Sequence, residues 1–108
     1  ALQDLGLCYY YQRWNQSALI CYVEAIRQIA RRFGPRHPDL AVPAFNIANI
    51  FCNARQHANL VGAVRFYLFT CQIFLASLGA EHKWTATAKE ALFQVLPRVR
   101  VLARYAAA

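Results

Sequence analysis

Residues 18–35 read Ala18-Leu19-Ile20-Cys21-Tyr22-Val23-Glu24-Ala25-Ile26-Arg27-Gln28-Ile29-Ala30-Arg31-Arg32-Phe33-Gly34-Pro35, and this stretch decides the fold. Its apolar residues Leu19, Tyr22, Ile26, Ile29 and Phe33 step by 3, 4, 3 and 4, which is one stripe of an α-helix. Asn15 is placed to cap the start, Gly34 to supply a left-handed stop, and Pro35 to forbid continuation. Downstream, Leu60, Val64, Tyr67, Cys71, Phe74 and Leu78 repeat the pattern, with Asn59 as cap and Gly79 as stop. No strand-like alternation competes, so the expected class is all-α.

Three more helices fill the remainder. Leu2, Leu5 and Tyr9 share a face over about Leu2–Gln12, and a third helix is expected over about Pro38–Asn53. Pro38 and Asp39 suit its start, and Pro43 falls in its first turns, where a missing N–H costs no intrahelical bond. The fifth helix begins near Lys83 to Thr87, with Thr87 and Glu90 at capping-box spacing. Pro97 is expected to kink or end it, leaving Val99–Tyr105 as a separate turn or helix.

The two glycine stops lie 45 residues apart, and at that offset Ala18 matches Ala63, Tyr22 matches Tyr67, Phe33 matches Leu78 and His37 matches His82. Long helix, glycine stop, histidine-bearing linker, next helix: the unit occurs twice. A helix-pair repeat implies stacked antiparallel helices, an α-solenoid in which each pair needs a neighbour to bury its apolar face. The expected single domain, residues 1–108, divides into a first unit over about 2–36, a second over about 37–81, and a capping or divergent helix over 83–105.

Composition agrees with such packing. The chain is 58% hydrophobic and 16% charged, which excludes a disordered tail and points to apolar surface shared with a neighbour. No uninterrupted apolar, uncharged run of about 18 residues appears and no signal peptide is visible, so neither a membrane partner nor secretion is expected. A chain that opens on Ala1 and closes on three alanines suggests a segment cut from a longer one.

Catalysis has little to stand on. Asp4, Glu24, Asp39, Glu81 and Glu90 are scattered, without the paired spacing of acid/base work, and no nucleophile elbow, phosphate loop or HExxH occurs. Cys8, Cys21, Cys52 and Cys71 form no C-x-x-C pair and no zinc spacing, and their apolar neighbours mark them as free, buried thiols of a reducing compartment. The nearest mixed pair, Cys52 and His57, straddles an expected helix end. The chain is expected to be no enzyme and to need neither metal nor cofactor.

Leu2, Leu5, Gly6, Tyr9, Ala18, Tyr22 and Ala25 resemble the tetratricopeptide pattern of large, large, small, aromatic, then small, aromatic, small. Ala44, Ile47, Ala48, Phe51, Ala63 and Tyr67 fill the same places in the second unit, with three extra residues in the loop of about Asn53–Asn59. The linker Phe33-Gly34-Pro35-Arg36-His37-Pro38-Asp39-Leu40-Ala41 is similar to the L-G-x-x-H-P-x-[VL]-A linker of kinesin-light-chain-type repeats, and Phe45-Asn46-Ile47-Ala48 to their N-N-L-A helix start. Leu78-Gly79-Ala80-Glu81-His82 repeats the linker more weakly, with Lys83 and Trp84 in place of Pro and Asp. The resemblance spans about Leu2 to Trp84. A similar region also closes the MYND-SET lysine methyltransferases, which would make this an accessory part of a larger enzyme.

The resemblance implies a concave groove lined by the first helix of each unit and taking a peptide. The groove positions would be Gln3, Asp4, Leu7 and Tyr10 in the first unit and Val42, Phe45, Asn46, Asn49 and Asn53 in the second. The Asn46 amide can both donate to and accept from a ligand backbone. It further implies a protein-interaction scaffold in the cytoplasm, docking within a cytoskeletal or transport assembly. The formal net charge of +7 collects in Arg27, Arg31, Arg32 and Arg36 and again in Arg98, Arg100 and Arg104, either a solvated face or a match for an acidic partner. Nucleic acid is the weaker alternative, because the aromatics stand at packing positions rather than on a stacking platform.

Overall fold

The computed structural model describes residues 15–53 and 57–107. Four helices follow one another: α1 (Asn15–Phe33), α2 (Ala41–Cys52) after a 3-10 turn at Pro38–Leu40, α3 (His57–Leu78) and α4 (Lys83–Ala107). The described residues contain no strand. Each helix packs on the next, α1 on α2, α2 on α3 and α3 on α4, and the short connections make neighbours antiparallel. The expected first helix, Leu2–Gln12, lies outside the described residues, and with it Cys8, Gln3, Asp4, Leu7 and Tyr10.

The glycine stops behave as expected. Gly34 and Gly79 have φ of 100° and 88°, a region closed to most side chains. The Gly34 N–H closes α1 on the Ala30 carbonyl at 2.9 Å, and the Gly79 N–H closes α3 on the Phe74 carbonyl at 3.2 Å. The helix starts differ from expectation. Asn15 and Asn59 are themselves helical, since α3 already begins at His57, so neither stands in the non-helical cap position. Thr87 does not form a capping box either: α4 starts four residues earlier, and the Thr87 hydroxyl donates back to the Lys83 carbonyl at 2.9 Å.

Pro97 does not end α4, which runs on to Ala107 without a separate Val99–Tyr105 element. Its ring sits on the water-facing side, as does Phe93, whose carbonyl would have met the missing N–H. Water can satisfy a carbonyl there, so the lost bond is tolerated. Pro43 sits at the third position of α2, buried, where a helix has no acceptor for its N–H.

Three apolar clusters hold the helices together. Ala18 and Tyr22 of α1 meet Ile47 and Ile50 of α2; Ala48 meets Leu60, Ala63 and Tyr67 of α3 and Val95 of α4; Leu40 and Ala41 meet Ile73, Phe74 and Ala88. Alanines lie at every crossing, which lets large neighbours fill the gap between backbones. Gly62 marks a close approach of α3 to α2: a Cβ there would stand 3.2 Å from the Phe51 ring. Two buried hydroxyls find backbone acceptors. Thr70 donates to the Phe66 carbonyl at 2.8 Å, and Thr85 to the Gly79 carbonyl at 2.8 Å, fixing the first turn of α4 to the end of α3.

Helix α3 bears on the expectation about membrane-length segments. Its stretch Asn59–Leu78, 20 residues with mean hydropathy 1.5, is long and apolar enough to cross a membrane by length and composition alone. Arg65 interrupts the run of uncharged residues but not the average. In this fold the helix is the middle one, packed by α2 on one side and α4 on the other, with a third of that stretch buried.

Candidate binding cleft

The ends of α2, α3 and α4 that share the two linkers enclose an apolar hollow. Val42 and Phe45, one turn apart on α2, face Trp84 and Thr87, one turn apart on α4, with Phe74 of α3 as the floor; the volume is about 190 Å³. A more open hollow of about 430 Å³ continues from it, sharing Val42, Phe74 and Trp84 and reaching Pro38, Asp39, Ser77 and Leu78. The pairs that face each other obey the repeat: Val42 and Thr87 are 45 residues apart, as are Asp39 and Trp84. Phe45 and Phe74 have no such counterpart in the lining.

The walls are held by aromatic contacts. Phe45 tilts against Tyr67 with ring centroids 5.5 Å apart, and Trp84 lies 6.0 Å from Phe74 and edge-on to His82 at 5.3 Å. Offset and edge contacts of this kind add to the burial itself. Trp84 and Val42 remain 51% and 44% exposed, so both present open apolar surface to the hollow. Asp39, exposed at the margin, is the sole charged residue among the described residues of either lining. Such a site can desolvate an apolar or aromatic side chain. Its two hydroxyls are bonded back to their own helices, Ser77 donating to the Ile73 carbonyl at 2.7 Å and Thr87 to the Lys83 carbonyl at 2.9 Å, and among the described residues no three His, Cys, Asp or Glu side chains come together to hold a metal.

Of the groove positions read from sequence, Val42 and Phe45 line the hollow. Asn46 is half-buried and lies outside either lining. Asn49 is engaged within the fold: its side-chain oxygen accepts the Tyr67 hydroxyl of α3. Asn53 is exposed and caps the end of α2 through its N–H to the Ile50 carbonyl at 3.3 Å. Phe74, Trp84 and Thr87 were missed. Adding the repeat offset to Val42 would have reached Thr87, whereas Phe74 belongs to a helix read as core throughout.

The arginines stand apart from the cleft. Arg36 precedes α2, whereas the Arg98 guanidinium lies against Cys52 at its far end, Nη1 donating to Sγ at 3.2 Å. Arg36 and Arg98 therefore sit at opposite ends of α2. Arg27 pairs weakly with Glu24 at 3.9 Å, Arg32 lies 5.3 Å above the Phe33 ring, and Arg31 and Arg100 are exposed. The Arg104 side chain is outside the described residues. Cys21, Cys52 and Cys71 are free thiols, but only Cys21 is fully buried; the other two are half-buried beside longer neighbours. Burial pushes the Cys71 thiol up, and the nearby Lys89 ammonium offsets part of that rise.

Over the described residues the protein is all-helical, with an apolar cleft between α2, α3 and α4. Comparison with protein families, with curated proteins and with solved structures finds no match to this chain.

Proposed function

We propose that the chain is a protein-interaction scaffold of tetratricopeptide type that seats an apolar side chain of a partner segment between α2 and α4. The observation that supports this reading most is the wall of Val42, Phe45, Trp84 and Thr87 over Phe74, open to solvent and nearly free of charge. Monomeric proteins seldom leave a tryptophan and a valine exposed side by side in a concavity without use for them. At about 190 Å³ the hollow is smaller than the ~300–1,000 Å³ typical of small-molecule sites, and it suits one or two side chains of a peptide. The separation of Arg36 from Arg98 weighs against one continuous basic surface for nucleic acid, a reading that requires affinity falling steeply with salt.

The test is a selection from a displayed random-peptide library on the intact chain, counter-screened on Val42→Asp. Val42 is the second residue of α2, where a carboxylate suits the helix N-terminus, so the variant should keep its fold. Enriched peptides sharing an apolar anchor should lose about tenfold or more in affinity for Val42→Asp, the scale of one buried apolar side chain. Peptides that bind both forms equally would remove the cleft from the function.

A further inference from the structure

The two linkers are built alike but are not charged alike. His37 accepts the Asp39 N–H at Nδ1, at 3.1 Å, and His82 accepts the Trp84 N–H at Nδ1, at 3.0 Å. A ring nitrogen that accepts a hydrogen bond carries no proton, so both caps require the neutral imidazole with its proton on Nε2. Protonation turns Nδ1 into a donor facing a donor, and the cap is lost. In the first linker a substitute partner is at hand, since Asp39 Oδ2 lies 3.8 Å from His37 Nδ1. In the second, the repeat places Trp84 where Asp39 stood, and among the described residues no ion pair involves His82.

Among the described residues, no carboxylate is paired with His82. Its charged chain neighbours, Glu81 and Lys83, are both exposed and of opposite sign. The facing turn of α3, Phe74–Leu78, carries no charge, and the 3-10 turn contributes only Asp39, which lies across the hollow that Trp84 lines. The ring of His82 also touches that of Trp84. His82 therefore holds the cleft wall twice, through the backbone N–H and through the indole.

We propose that His82 is a proton-operated latch on the cleft: neutral, it holds Trp84 in the wall; protonated, it releases the start of α4 and unseats Trp84, while His37 exchanges one partner for another and leaves its linker in place. Histidine as a residue type is the side chain nature uses for charge switching near neutral pH. It regulates the same cleft and rests on that reading for its consequence, but its first readout needs no ligand, so the two can fail separately.

The experiment follows the Trp84 amide by NMR between pH 7.5 and 5.5, with exchange normalised to the intrinsic rate, and measures in parallel the affinity of a neutral apolar dye. Protection of the Trp84 amide and dye affinity should each fall about fivefold on acidification, the fold-change of losing one helix cap. His82→Asn and His82→Ser keep a cap acceptor that does not titrate, and both should abolish the response; His37→Asn should leave it intact. A flat wild-type profile, or a response that survives in both His82 variants, overturns the latch. A responding amide with constant dye affinity overturns its link to the cleft.

Discussion

Replacing Leu60 and, separately, Leu68 by alanine removes the same atoms from the same helix and should give very different costs. Leu60 is 1% exposed and packs among Ala48, Ala63, Tyr67 and Val95; Leu68 is 46% exposed on the outer face of α3. Leu→Ala at a closed site loses both the transfer energy and the contacts around the cavity, about 2–5 kcal/mol, and the crowded neighbours of Leu60 leave little room for collapse. At Leu68 the side chain stays about half in water in the folded state, so the loss should be about 1 kcal/mol. Taking ~3 kcal/mol for Leu60 and ~4–8 °C per kcal/mol for a domain of this size, Tm should fall by roughly 12–24 °C, against roughly 4–8 °C for Leu68. Urea unfolding followed by circular dichroism gives both numbers, with an unchanged slope confirming that the unfolded reference is the same. Equal losses would refute the placement of α3 as a core helix with one buried face.

Other outcomes follow from single contacts. Gly79→Ala meets no steric obstacle but must hold φ near 88°, so it should cost about 1–2 kcal/mol in the same unfolding assay without altering the slope. Tyr67→Phe strips Asn49 of its buried donor and should cost about 1–2 kcal/mol, with Asn49→Ala adding little on top if the two act as a pair. Cys71 stays a thiol in the fold because burial disfavours its thiolate, so alkylation at neutral pH should be slower than in the urea-unfolded chain. The same raised thiol stabilises the fold at neutral pH, and that contribution should decline as alkaline conditions ionise the unfolded chain.

The helices were legible because their signals are local. Apolar steps of 3 and 4 located α1 and α3, and Gly34 and Gly79 marked their ends to the residue, since a positive φ is a demand that few residues other than glycine meet. Helix starts were less legible. Asn15, Asn59 and Thr87 all have capping side chains, yet cap preference is worth only about 1 kcal/mol and yields to packing. Pro97 misled for a similar reason: the cost of proline depends on whether its lost partner faces water, and only the fold decides that Phe93 does. Part of the cleft was legible through the resemblance to tetratricopeptide repeats, which implied Val42 and Phe45 as groove positions. Trp84 and Phe74 became wall and floor only when α3 and α4 came together, a long-range outcome that no spacing encodes. Asn49 shows the opposite lesson, because a side chain suited to a ligand is spoken for by Tyr67.

The most direct measurement is a map of backbone amide shifts in the isotope-labelled chain on titration with a peptide from the library selection. The account predicts changes centred on Val42, Phe45, Phe74, Trp84 and Thr87, with the exposed Leu68 and Leu75 of α3 and the arginine-bearing ends of α1 and α4 unmoved. Shifts concentrated on Leu68 and Leu75, or on the arginines, with the cleft silent, would contradict it.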